Sequence, residues 1–73
     1  MSDKIYWAGS NPTHCQINGT PLGDVMYDAM VPSFGQWGNI GEDAFKTHGC
    51  SLGTGRGQKY ERQPDGRWLK VEG

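Results

Sequence analysis

Seventy-three residues set a ceiling of one small domain, and 34% hydrophobic content with 12 glycines leaves little material for its core. The formal net charge of −1 is far from the strongly basic footprint of a dedicated nucleic-acid binder. No apolar run approaches the length of a membrane span, and no basic segment followed by an apolar one marks a signal peptide.

The elements are expected in chain order as follows. Residues 1–10 read as an N-terminal arm or strand, with the aromatic stretch Lys4 to Ala8 ended by the turn formers Gly9-Ser10-Asn11-Pro12. Asn18-Gly19 is a tight-turn dipeptide, and Pro21 and Gly23 bound the segment after it. From Asp24 to Met30, Val25, Tyr27 and Ala29 alternate with Asp24, Met26, Asp28 and Met30, which predicts a strand with one buried face. A turn near Pro32-Ser33 leads into Phe34 to Ile40, so these two segments form an antiparallel hairpin. Glu42 to His48 is the one helix, with acids in its first turn, Lys46 and His48 in its last, and Gly49 as its stop. Barely two turns long, it needs Phe45 as an anchor. A glycine-rich loop over 49–57 precedes a second hairpin in 58–73, with strands Gln58 to Gln63 and Arg67 to Glu72 joined at Pro64-Asp65-Gly66. Ile, Leu and Val are few, so the expected core leans on Tyr6, Trp7, Tyr27, Phe34, Trp37, Phe45, Tyr60 and Trp68.

A further pattern runs through Gly19, Pro21, Leu22, Tyr27-Asp28, Gly35-Gln36-Trp37, Phe45, the run Leu52-Gly53-Thr54-Gly55-Arg56-Gly57-Gln58-Lys59-Tyr60, and the tail from Asp65 to Gly73. On these residues the stretch from Asn11 onward, about five-sixths of the chain, resembles a family of small, mostly uncharacterised zinc-ribbon-like proteins of tailed bacteriophages. The family pattern places paired C-x-x-C turns at positions 15, 18, 41 and 44, where thiolates hold zinc tetrahedrally. This chain keeps Cys15 and has Asn18, Gly41 and Ala44 at the other positions, none of which replaces a thiolate. The resemblance therefore implies a degenerate ribbon over 11–48 without the family's zinc site.

Other chemistry is thin. Cys15 and Cys50 have three possible fates: free thiols, which a reducing cytosol favours, a disulfide, or metal ligation. A rerouted metal site from Cys15, His48 and Cys50 is a weak candidate that lacks a fourth ligand, and His48 alternatively caps the helix. His14, adjacent to Cys15, points away from it in an extended chain. Gly53-Thr54-Gly55-Arg56-Gly57 has the composition of an anion-cradling loop. It is followed by Gln58-Lys59-Tyr60 on a strand, whereas a phosphate loop ends in GK[ST] and opens a helix. It reads instead as a structural loop or as a contact surface with Arg56 at its tip. Lys59, Tyr60, Arg62, Arg67, Trp68 and Lys70 interleave cations with aromatics, a pattern suited to single-stranded nucleic acid. The alternative is that Tyr60 and Trp68 are core and the basic residues its solvated rim. Charge is uneven: residues 1–55 hold Lys4 and Lys46 against Asp3, Asp24, Asp28, Glu42 and Asp43, for −3. Residues 56–73 hold Arg56, Lys59, Arg62, Arg67 and Lys70 against Glu61, Asp65 and Glu72, for +2. Asp24, Asp28, Glu42 and Asp43 have no accompanying nucleophile or oxyanion site, so no enzyme is expected.

The sequence thus predicts a small, mostly β (α+β) domain of two antiparallel hairpins and one short helix, a degenerate zinc ribbon without cofactor. Its expected role is non-enzymatic: a minor or decorating protein of the phage capsid, located in the virion and, during infection, in the host cytoplasm. The expected partner-binding residues are Gly53, Gly55, Arg56, Gly57, Lys59, Tyr60, Arg67 and Trp68. Capsid proteins are the expected partners, with a second copy of the chain as another candidate and nucleic acid as the weaker one. The alternatives are an adaptor or regulator binding a host protein or nucleic acid, and an inhibitor of a bacterial defence system.

Overall fold

A computed structural model describes residues 4–73. Its secondary structure follows the turn chemistry closely. Strand β1 (Val25–Val31) turns back into β2 (Gln36–Ile40) through a loop in which the N–H groups of Phe34 and Gly35 both donate to Val31 O. Gly35 sits at φ +66°, a conformation that glycine adopts without a Cβ penalty. Helix α1 (Glu42–Thr47) starts at Gly41 and carries Glu42 and Asp43 in its first turn. It ends in a Schellman motif: Cys50 N–H donates to Phe45 O, Gly49 N–H to Lys46 O, and Gly49 has φ +66°. Strands β3 (Gly57–Arg62) and β4 (Trp68–Glu72) are joined by a turn that Asp65 braces, accepting from the Arg67 backbone N–H at 3.0 Å and its Nε at 2.7 Å.

Both expected hairpins form, and they merge into one four-stranded antiparallel sheet in the order β2-β1-β3-β4. The seam is β1 with β3, where Val25 faces Glu61, Tyr27 faces Lys59 and Ala29 faces Gly57. Close approach fixes this seam. A Cβ on Gly57 would lie 2.8 Å from Ser51 O and 2.9 Å from the Ala29 Cβ, so no larger residue fits there without moving the 51–53 segment.

The central strand β1 has cover on both sides, which corrects the expectation of one buried face. On one side Tyr27 stacks on Phe45 with ring centroids 3.9 Å apart, and α1 and the segment after it cover Tyr27, Ala29, Val31 and Ile40. On the other, Met26 is fully buried beside its cross-strand neighbour Tyr60. The N-terminal segment supplies the cover there. Tyr6 bridges Leu69 at the outer edge of β4, Lys70 N–H donates to Ile5 O, and Trp7 N–H donates to Trp68 O. The Trp7 ring meets Tyr60 edge-on at 5.7 Å, and Pro12 O accepts from the Trp68 indole at 3.0 Å. The chain then reaches the opposite edge, where Gln16 N–H donates to Asn39 O and the Gln16 side chain accepts from Asn39 N–H.

The buried core is Cys15, Leu22, Met26, Tyr27, Ala29, Val31, Ile40, Ala44, Tyr60 and Trp68. Five of the eight expected core aromatics are outside it: Trp7 and Phe45 are half-buried against it, Tyr6 is half-buried, and Trp37 and Phe34 are 48% and 57% exposed. Trp37 lies on the edge strand opposite Met30, near the end of the sheet that the N-terminal segment leaves open. Tyr6 is half-buried, its ring under the Arg67 guanidinium at 4.0 Å.

Trp68, 1% exposed, is the largest fully buried side chain. Its truncation in Trp68→Ala should cost about 3–5 kcal/mol, much of the stability available to so small a domain. Trp37→Ala should cost about 1 kcal/mol or less, as exposed positions do. Urea titration of both variants checks this, and equal losses would refute the assignment of the two rings.

Candidate partner-binding surface

The residues expected to bind a partner do not form one surface. Tyr60 and Trp68 are core, and Gly57 is buried against Ala29. Lys59 is half-buried on the face that carries Tyr27. Arg67 is exposed at the far end of the sheet and tied to Asp65, whose carboxyl is held below its ordinary range by the Arg67 backbone N–H first and its side chain second. Arg62 is also engaged, 4.7 Å from the centroid of the Trp68 ring and donating to Leu22 O at 3.4 Å. The cations of the C-terminal hairpin are thus dispersed over both faces and both ends.

Gly53, Gly55 and Arg56 stand elsewhere. The glycine-rich loop is a tight reversal closed by Gly53 N–H to Gly57 O at 2.9 Å and Gly57 N–H to Gly53 O at 3.0 Å. Arg56 N–H also donates to Gly53 O. These three donors are spent inside the loop and do not face an anion. The loop projects Gly55 and Arg56 into solvent at the end of the sheet where β1 turns into β2.

That end gathers the exposed apolar surface. Met30 N–H donates to Arg56 O, and Met30 pairs with Trp37, so Arg56 at the end of the loop, Met30 on β1 and Trp37 on β2 form one row. Phe34 stands in the adjoining turn, packed at 5.5 Å against the His48 ring, which hydrogen-bonds Ser33 Oγ at 3.0 Å. Between the turn and the edge strand lies a cleft of roughly 200 Å³ lined by Gln16, Ile17, Val31, Phe34, Trp37 and Gly38. A β-strand edge with half-exposed aromatics beside a cleft suits protein contact, since rigid rings provide large contact area at little entropic cost. The sequence hid this surface, because an isolated tryptophan in an alternating strand gives no sign of which face is covered.

The opposite end holds the four positions of the zinc-ribbon frame. Asn18, Gly41 and Ala44 line one cleft, and Cys15 lies beside it, buried, with its carbonyl accepting from Gly19 N–H. Among the described residues, no three His, Cys, Asp or Glu side chains converge. The weak candidate set of Cys15, His48 and Cys50 is therefore not assembled, and His48 serves the helix terminus and Ser33 instead. Both cysteines are free thiols, and burial pushes the Cys50 thiol up, away from the reactive thiolate form. Comparison with protein-family models, curated proteins and solved structures returns no match.

One titratable group stands out. Asp28, half-buried on central strand β1, makes no side-chain hydrogen bond or ion pair among the described residues, and burial raises its carboxyl above the ordinary range. Tyr60, on the same face, is raised by burial and further by the Asp28 charge. Because folding favours the protonated form of Asp28, its stabilisation is complete below the unfolded carboxyl pKa and is lost as pH rises through the higher folded value. Asp28→Asn should therefore be more stable than the parent at neutral pH, and the difference should shrink on acidification. Thermal melts across that range check this, and a less stable Asp28→Asn at neutral pH would reveal a partner for the carboxylate.

Proposed function

We propose that this chain is a non-enzymatic component of a tailed-phage particle, a minor or decorating protein held on the capsid by the aromatic end of its sheet. The phage assignment rests on the resemblance over residues 11–73. The observation that carries the mode of action is the placing of Phe34, Trp37 and the glycine-rich loop at one end, with two large aromatics about half exposed. Contact would be through rings and strand-edge backbone, as in β-strand addition. β2 is an edge strand, and Gln16 covers its outer backbone at Asn39 only. The engagement of Arg62 and Arg67 within the fold speaks against a regulator that reads nucleic acid through this hairpin.

Purified particles of the encoding phage should contain the chain, and added protein should co-sediment with particles lacking it. A Phe34→Ser/Trp37→Ser variant that keeps the parent's circular dichroism should bind particles roughly 30-fold more weakly or worse, the effect of losing about 2 kcal/mol at an interface hot spot. Binding to single- or double-stranded DNA should be undetectable at physiological salt. Micromolar DNA binding that weakens with salt, together with absence from particles, would replace this reading with the regulatory one.

The ribbon ancestry has its own test. Asn18, at the end of the 15–18 turn, shares one cleft with Gly41 and Ala44 of the first turn of α1, which supports the frame. Introducing Asn18→Cys, Gly41→Cys and Ala44→Cys together with the native Cys15 should create a tetrahedral thiolate site. One cobalt(II) per chain should bind, with thiolate charge-transfer bands and tetrahedral d–d bands. A triple variant that folds but gives no such spectrum removes the ribbon frame.

A further inference from the structure

Asp28 belongs to a row. It pairs directly with Asn39 on β2 and with Gln58 on β3, which puts the three side chains side by side on one face of the sheet. Directly opposed side chains in such a sheet have Cβ atoms about 4.5–5.5 Å apart. All three residues are half-buried, and among the described residues no side-chain hydrogen bond uses any of them. The Asn39 bonds to Gln16 are made by its backbone alone. On one side the row is bounded by Met26 and Tyr60, under the N-terminal segment, and on the other by Met30 and the half-exposed Trp37. Trp37 is the diagonal neighbour of Asp28, within reach of a large ring.

A carboxylate flanked by two side-chain amides, each with a carbonyl oxygen to offer, and with an indole at the diagonal position, is an acceptor array for a planar cation. A guanidinium fits each feature: its forked N–H groups bond the carboxylate in pairs, the remaining donors reach the amides, and its flat face stacks on the indole. An ammonium would use the same acceptors without the fork or the stacking. The fold leaves this position open to an outside group. Arg56 flanks the row beyond Met30, and Lys70 lies beyond it beside Tyr60, but neither makes an ion pair with Asp28 among the described residues. We infer that Asp28, Asn39, Gln58 and Trp37 form a binding site for an arginine side chain of a partner protein. The raised carboxyl of Asp28 shows that burial penalises the lone charge, and an incoming cation relieves that penalty. The inference goes beyond the particle assignment and holds for whichever protein carries the arginine.

The probe is N-acetyl-arginine amide, added to the isotopically labelled protein and followed by two-dimensional amide NMR. The expected result is saturable shifting of the Trp37 indole N–H and of the Asn39 and Gln58 side-chain amides, with a dissociation constant in the millimolar range. N-acetyl-citrulline amide has nearly the same shape without the charge and should bind at least tenfold more weakly. Asp28→Asn, nearly isosteric and checked for fold by its own spectrum, should weaken the arginine probe by a similar factor. Three results overturn the site: no saturation at tens of millimolar probe, equal shifts from the citrulline compound, or unchanged binding to Asp28→Asn. The experiment needs no particle, so its failure leaves capsid association standing, and absence from particles leaves the arginine site standing.

Discussion

The cover over one face of this sheet is organised around the indole of Trp68. Its Nε1 donates to Pro12, its carbonyl accepts from Trp7, and the Arg62 guanidinium lies over its ring. These three contacts bring together the N-terminal segment, the edge of β4 and the end of β3. Without them Met26 and Tyr60 would face water, and a chain with so few aliphatic residues has nothing else to cover them. A buried ring with its one polar atom satisfied contributes a large hydrophobic area and a directional bond at once. It can thus organise a small fold whose two cysteines are unpaired and whose described residues gather no cluster of metal ligands.

The opposite face uses a different device, the stack of Tyr27 on Phe45. A six-residue helix has little stability of its own, so the stack and the Schellman terminus hold it in place. The two faces meet in β1, which explains why its residues look contradictory as a pattern. Val25, Tyr27 and Ala29 suggest one buried side, yet Met26 on the other is fully enclosed.

Local chemistry was legible and nonlocal cover was not. Pro32-Ser33, Gly49 and Asp65-Gly66 mark their turns, although the first turn runs on through Gly35, and the alternation of 24–30 marks its strand, because each depends on neighbouring residues alone. The union of the two hairpins through Ala29 and Gly57 is set by a close approach between distant segments, which no window of sequence displays. The same limit governs the surface. Trp37 and Trp68 are alike as residue types, and only the path of residues 7–16 decides that one is enclosed and the other half open. Likewise Asn39 and Gln58 become partners of Asp28 only once strand register is fixed. Arg56 and Gly55 were readable as a projecting tip, whereas the engagement of Arg62 and Arg67 needed the fold.

The pairing of Ile5 to Trp7 with β4 has a consequence for stoichiometry. A sheet with two bare edges can add strands at both and grow without limit, which is the route to fibres. Here one border is sealed by the chain's own beginning, and the other is sealed at Asn39 but not at Trp37. Pairing of two copies through the remaining border, across a two-fold axis, is self-limiting because each copy's open edge is consumed by the other.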